Sequence, residues 1–248
     1  MTPNFWRAYT DNDRGNKHDV RCGVWREAGD QRKLLQWNHE NLSDRVLIRT
    51  NYVLPTEPAS LLVIEYTIKQ EGQVEVQLDL TPGDGLPEIP EIGFILEMAD
   101  TFDTVSWYGK GPHESYWDRQ EGAKLGRYEG KVSDQFVHYL RPQECGNKTG
   151  VRAASVTNAH GEGLSIQGLP HLELNVLPYT PKELEAHDHP YQLPKSNKTV
   201  LRIQYKQMGV GGDDSWGARV HPEYTLYANR PYSFRFVMDG ISKINSNK

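Results

Sequence analysis

Apolar and polar residues alternate most strictly over residues 74–80, where Val74, Val76, Leu78 and Leu80 interleave with Glu75, Gln77 and Asp79. A period of two puts one set on a buried face and the other on a wet one, so this run predicts a β-strand. Runs rich in β-branched residues, partly alternating, predict strands at 46–53 and 61–68. Further strands are predicted at 92–97, 104–108, 151–156, 164–167, 172–176, 199–205 and 232–238. Gly72 and the cluster Pro82-Gly83-Asp84-Gly85 punctuate the runs as turns. About ten strands separated by turn signals predict an all-β sandwich. Helical signal is brief. Thr180-Pro181-Lys182-Glu183 joins an N-cap residue, a proline at the first helical position and a glutamate three residues after the cap, which predicts one short helix at 180–186. A second is expected near 20–28. No strand–helix–strand alternation occurs, which argues against a doubly wound sheet.

Composition narrows the picture. The chain has 248 residues, a length that all-β sandwiches reach as one unit, so residues 1–248 are expected to form a single domain. Hydrophobic residues make up 37% and charged residues 25%, as in a folded chain. With 28 basic and 33 acidic residues the net charge is −5, which argues against nucleic acid as a partner. No apolar run approaches the ~18 residues that cross a bilayer, so no membrane association is expected. No basic and apolar leader follows Met1, so no secretory signal is read there; a cytoplasmic location is the expectation for a free-standing chain, and for a fragment of a longer one the missing signal carries no information. Cys22 and Cys145 are too few for a disulfide scaffold and are expected as separate thiols. Thirteen Tyr and six Trp against six Phe is an excess of flat rings with a polar edge, suited to half-exposed sites and sugar faces as well as to β-sheet packing.

Three clusters carry candidate chemistry. The first is Phe5-Trp6-Arg7-Ala8-Tyr9-Thr10-Asp11-Asn12-Asp13-Arg14-Gly15. Its Asp-Asn-Asp run lacks the closing glutamate of a calcium loop, so a surface turn tied by Asp side chains to backbone N–H groups is the simpler expectation. The second, Trp107-Tyr108-Gly109-Lys110-Gly111-Pro112-His113-Glu114-Ser115-Tyr116-Trp117-Asp118-Arg119, lacks the Gly-Lys-Ser/Thr ending of a phosphate loop. Its aromatics beside Asp and Arg suit either a sugar site or a satisfied hydrogen-bonded loop. The third is Met208-Gly209-Val210-Gly211-Gly212-Asp213-Asp214-Ser215-Trp216-Gly217, where glycines allow tight backbone and place Asp213, Asp214, Ser215 and Trp216 on a loop. An indole there is a platform for the apolar face of a hexose. His187 and His189 stand two apart without further ligands at metal spacing, so no metal and no cofactor are expected. No carboxylate pair stands out as a glycosidase acid and nucleophile.

In order, these clusters resemble the C-terminal domain, or small chain, of the β-galactosidases of glycoside hydrolase family 2. Arg141-Pro142-Gln143-Glu144-Cys145-Gly146-Asn147-Lys148-Thr149 and Pro178-Tyr179-Thr180 add to the match, which spans almost the whole chain. Two positions depart from the family pattern: Tyr9 where proline is common, and Cys145 where asparagine is common. The resemblance implies a β-supersandwich like that of galactose mutarotases. It also implies a partner, since in the family both catalytic glutamates lie on a (β/α)8 barrel, on a preceding domain or large subunit, and no barrel is present here. The chain is then a domain or subunit of an enzyme that hydrolyses terminal β-D-galactosides with retention, inert alone and with no catalytic residue of its own. Trp216 matches the tryptophan that stacks on the galactoside, and Asp213, Asp214 and Ser215 of the same motif are expected to bind the substrate with it. Arg7, Thr10, Asp11, Asn12 and Asp13 match a loop near that pocket. The alternatives are a free-standing aldose mutarotase, which needs a Glu base and a His acid in one cleft, and a sandwich module that binds carbohydrate or only buttresses an assembly.

Overall fold

Hydrogen-bonded ladders link every described strand of the molecule into one antiparallel system. The structure, a computed structural model, describes residues 1–214 and 216–242. Within them the strands are β1 (Thr2–Asn4), β2 (Lys33–Asn41), β3 (Arg45–Leu54), β4 (Ser60–Lys69), β5 (Val74–Thr81) and β6 (Glu91–Ala99). They continue with β7 (Thr104–Gly111), β8 (Lys124–Lys131), β9 (Lys148–Thr157), β10 (Gly163–Leu177), β11 (Lys198–Gln207) and β12 (Tyr232–Ile241). The main path runs β1-β6-β11-β10-β12-β5-β4-β3-β2, and β9 branches from β10 to carry β7 and β8. The all-β expectation is met, and each predicted strand falls within an observed one.

The two runs predicted at 164–167 and 172–176 are a single strand. β10 pairs with β12 through Gly163–Leu169 and with β11 through Glu173–Leu177, with a register shift against β9 between Gln167 and Leu172. At that bend a Cβ on Gly168 would lie 2.7 Å from His171 Cα, so only glycine fits. Three strands were not predicted. β1 is three residues long and contains Pro3. β2 is exposed along its whole length, and β8 is an edge strand interrupted by Gly126 and Gly130. β1 is too short to show a period, β2 has no covered face, and the half-buried positions of β8 are Gly126, Tyr128 and Gly130, two of them glycines, so no apolar alternation appears.

Three short α-helices accompany the strands, α1 (Asp11–Gly15), α2 (His18–Arg21) and α3 (Pro181–Glu185), with four 3-10 turns beside them among the described residues. α3 forms as its sequence predicts, with a reciprocal capping box between Thr180 and Glu183. The helix expected near 20–28 starts earlier and ends at Arg21, giving way to a 3-10 turn at Gly23–Trp25. There Trp25 is fully buried and its indole N–H donates to Pro87 O at 3.1 Å.

The apolar core lies on one face of the ladder. Phe94 of β6 sits 6.2 Å and 5.8 Å from the rings of Phe234 and Phe236 on β12, with Leu78 and Ile64 packed in the same cluster. Each such side chain contributes roughly 1.5–3 kcal/mol by leaving water. Cys22 and Cys145 are both buried and unbridged. Across β6, β10 and β11 the opposite, polar face is buried as well. Glu91, Glu173, Asn175, Arg202, Gln204 and Gln207 are all covered, and register sets Glu173 opposite Gln204 and Asn175 opposite Arg202.

Candidate functional site

The cover over that polar face starts at the N-terminal segment. Phe5, Trp6 and Ala8 are buried, and between them Arg7 is fully enclosed. Thr10 caps α1: its hydroxyl accepts from Asp13 N at 3.1 Å while Asp13 Oδ2 accepts from Thr10 N at 2.9 Å. The expected surface turn is a helical turn with Thr10 and Asp13 buried and Asp11 exposed, and the predicted tie between an Asp side chain and backbone N–H is there. Arg7 Nη2 lies 3.1–3.2 Å from both oxygens of Asp13. Burial works against ionisation of Asp13, but the Arg7 charge, the nearby His18 and the Thr10 N–H together hold its carboxyl below the usual range. His18 packs on Trp6 with ring centroids 5.1 Å apart, and burial pushes it down to about 4, so it is neutral near pH 7.

Arg7 also reaches the third cluster. Its Nη1 donates to Met208 O and its Nη2 to Gly209 O at 2.9 Å. The next two peptides are held by Asp118, whose Oδ1 and Oδ2 accept from Val210 N at 3.1 Å and Gly211 N at 2.7 Å. Asn12 of α1 donates to Val210 O at 3.1 Å. A Cβ at Gly209 would stand 2.6 Å from Asp118 Oδ2, so a larger residue there would displace that carboxylate. Three remote side chains thus grip four successive residues at the root of the loop.

The far limb of the loop is held by its own aspartate. Asp214 Oδ1 accepts N–H bonds from Trp216 at 2.8 Å and from Gly217 and Ala218 at 3.1 Å each. These bonds lower the Asp214 pKa. Asp213 pairs with His221 at 2.8 Å, and Asn16 donates to Ala218 O at 3.5 Å. Trp216 projects from this frame with 89% of its surface exposed. Ser215 lies outside the described residues.

A cavity of about 210 Å³ opens beside the loop root, lined by Thr10, Asp11, Asn12, Arg119, Gln143 and Val210 among others. Asp11 and Gln143 bond each other twice, from Asp11 N to Gln143 Oε1 and from Gln143 Nε2 to Asp11 Oδ2, both at 3.1 Å. The two groups of residues singled out by sequence, Arg7 with Thr10–Asp13 and Asp213 with Asp214 and Trp216, are therefore on touching segments. Sequence reasoning placed Asp118 in the second cluster, as part of a sugar site or a bonded loop, without linking it to the third, and assigned no role to Asn16. The spaced glycines at 209, 211 and 212 were the available signal that another group approaches the backbone closely.

Carboxylates that could serve chemistry elsewhere are consumed inside the fold. Arg202 binds Glu91 at 2.5 Å and both oxygens of Glu144 at 2.6 Å. Glu173 accepts from Asn147 Nδ2 at 3.1 Å and Gln207 N at 3.3 Å, and burial raises its pKa to about 7. The second cluster is likewise a bonded loop, in which buried Tyr116 closes a tight turn with Arg119 through N–H···O bonds of 3.0 and 2.8 Å. Among the described residues no three His, Cys, Asp or Glu side chains gather as a metal site. His187 bonds Glu183 O, and His189 stacks on Tyr191.

The sequence profile of the family described as beta galactosidase small chain matches residues 1–238. The chain belongs to this family. A beta-galactosidase of Priestia megaterium (strain DSM 319 / IMG 1521) is 52% identical to this small chain over 236 residues, which cover 95% of it and 23% of that protein. A beta-galactosidase of Lactobacillus delbrueckii subsp. bulgaricus is 38% identical over 237 residues, covering 96% and 23%. The small chain thus spans about a quarter of the length of these relatives, 23% in each. Among solved structures, galactose 1-epimerase from Lactobacillus acidophilus NCFM aligns with a TM-score of 0.45 at 8% identity, covering 84% of this chain and 67% of that one.

Proposed function

We propose that this chain is a non-catalytic, sugar-contacting part of a β-galactosidase. In this reading, retaining hydrolysis of terminal β-D-galactosides runs on two glutamates of a (β/α)8 barrel outside the chain. Trp216 supplies an indole face to that active site, and Asp213, Asp214 and Ser215 are the polar residues beside it in sequence that would contact the sugar. Arg7, Thr10, Asp11, Asn12 and Asp13 form the brace behind the loop and one wall of the neighbouring cavity. No cofactor or metal enters through these residues.

The observation that carries the proposal is the exposed indole of Trp216 on a loop whose root is bonded at four successive residues. A large aromatic left in water at the end of a braced loop has no packing role within the chain, and a flat indole suits the apolar face of galactose. Stacking would remove apolar area from water worth roughly 1–3 kcal/mol.

The mutarotase alternative has less support. It needs a glutamate base and a histidine acid meeting in an open cleft. Here Glu91, Glu144 and Glu173 are buried and engaged by Arg202, Asn4, Asn147 and Gln207, while buried His18 faces Asp13 and Trp6.

The test is equilibrium binding of a non-hydrolysable thiogalactoside to the complete enzyme by calorimetry. Trp216→Ala is expected to weaken it by about 5- to 150-fold, and Trp216→Phe to recover part of the loss. Equal affinity in wild type and Trp216→Ala would overturn the proposal.

A further inference from the structure

We propose that Asp118 is a positioning residue for Trp216, setting through two backbone hydrogen bonds the direction in which the loop leaves the sheet. The inference rests on the reading of Trp216 as a sugar platform and names a determinant of how well that platform works.

Asp118 is itself rigidly placed. It sits in the turn that Tyr116 and Arg119 close with reciprocal backbone bonds, and Tyr116 is 1% exposed. Next to it, Trp117 meets Tyr224 edge-on at 5.9 Å and carries Lys206 Nζ at 3.8 Å from its ring centroid. Tyr224 O in turn accepts from Gly209 N at 2.9 Å. The turn is thus anchored to the protein on one side and to the loop root on the other.

A carboxylate that accepts from two successive N–H groups fixes the plane of both peptides, and charge makes such bonds about twice as strong as neutral ones. Arg7 fixes the preceding carbonyls, so Asp118 holds the last two residues before Gly212 and the Asp214 turn. Among the described residues, the side chains that bond the loop beyond Gly211 are Asp214 from within it, the exposed His221 on Asp213 and, on the far limb, Asn16. Loss of the Asp118 carboxylate would therefore let the glycine-rich root swing, and Trp216 would spend less of its time in the stacking position. A less populated competent state weakens apparent affinity in proportion.

Shape alone does not replace the group. The substitution Asp118→Asn would keep the volume but offer one oxygen in place of two, and the amide NH2 would confront the other backbone N–H.

The experiment is a double-mutant cycle on the complete β-galactosidase, with Asp118→Asn, Asp118→Ala, Trp216→Ala and the combinations, read as KM, kcat and thermal midpoint with a nitrophenyl β-galactoside. Asp118→Ala is expected to raise KM about 3- to 10-fold, Asp118→Asn by less, with kcat within about twofold. In the Trp216→Ala background either change should add less than about twofold, because the group they position is gone. An unchanged KM in Asp118→Asn and Asp118→Ala overturns the proposal. So does the same rise in both backgrounds, which would mean that Asp118 acts independently of Trp216 while the stacking reading stands. A Trp216→Ala enzyme with wild-type KM would instead overturn the stacking reading itself. The Asp118→Asn variant, close in volume to the wild type, keeps the cycle readable if Asp118→Ala is poorly folded.

Discussion

Arg7 and Asp118 hold adjoining peptides of one segment with opposite charges. Arg7 donates to the carbonyls of Met208 and Gly209, and Asp118 accepts from the amides of Val210 and Gly211. Arg7 is in turn paired with Asp13 of α1. The N-terminal turn, the Tyr116–Arg119 turn and the loop bearing Trp216 are consequently one bonded unit.

Breaking that unit at Arg7 should cost stability. Asp13 is buried, and Arg7→Ala would leave its charge uncompensated, with two backbone carbonyls also losing their donor. The expected loss is about 3–5 kcal/mol, seen as a lower midpoint in denaturant. Because the Asp13 pKa is depressed in the fold, its stabilisation is present above the ordinary carboxylate range and fades as pH falls through its folded value. A wild-type midpoint for Arg7→Ala would show that the pair does not matter.

Glu173 should act in the opposite sense. Burial raises its carboxyl from 4.5 to about 7. Below the lower value the group is protonated both folded and unfolded, so it has no effect. Between the two values the unfolded chain releases the proton and the folded chain retains it, so stability falls as pH rises. Above about 7 the cost is complete, on the order of 3 kcal/mol. Glu173→Gln retains an oxygen that can accept from Asn147 and Gln207 N. It should match wild type near pH 4.5 and exceed it in thermal midpoint at pH 8. A variant less stable than wild type at pH 8 would contradict this assignment.

The 248-residue chain alone should not hydrolyse galactosides. Glu91, Glu144 and Glu173 are enclosed and bonded, and Asp13 is paired with Arg7. Nitrophenol release from a β-galactoside by the purified chain, at a turnover near the ~10 s⁻¹ typical of enzymes, would refute this.

Much of this was legible in the residues, for identifiable reasons. Strands with one apolar face, such as β5, announce themselves by alternation. β2 does not, because Leu34, Leu35 and Trp37 are all exposed and no face of it is buried. In β10 and β11 period two separates Leu174 and Ile203 from Glu173, Arg202 and Gln204, which reads as a wet polar face. The structure buries that face under segments distant in sequence. Trp216 stood out because the nearby glycines give an indole nothing to pack on. Asp118 did not, since its partners Val210 and Gly211 are 92 and 93 positions away. Arg7 appeared in the right cluster, but its link to Met208, 201 positions on, could not be read from spacing.

The central claim is that Trp216 is a solvent-exposed sugar platform held in place by the rest of the chain. Its most direct test is KM and thermal midpoint measured on the same Trp216→Ala variant of the complete enzyme. A face stacked in both ground and transition states gives uniform binding, so the loss should fall on KM, about 5- to 150-fold, with kcat nearly unchanged. An exposed side chain contributes little to stability, so the midpoint should move by less than about 2 °C. A KM equal to wild type would contradict the account. A collapsed midpoint, as when a core tryptophan worth ~3–5 kcal/mol is truncated, would place the ring in packing instead.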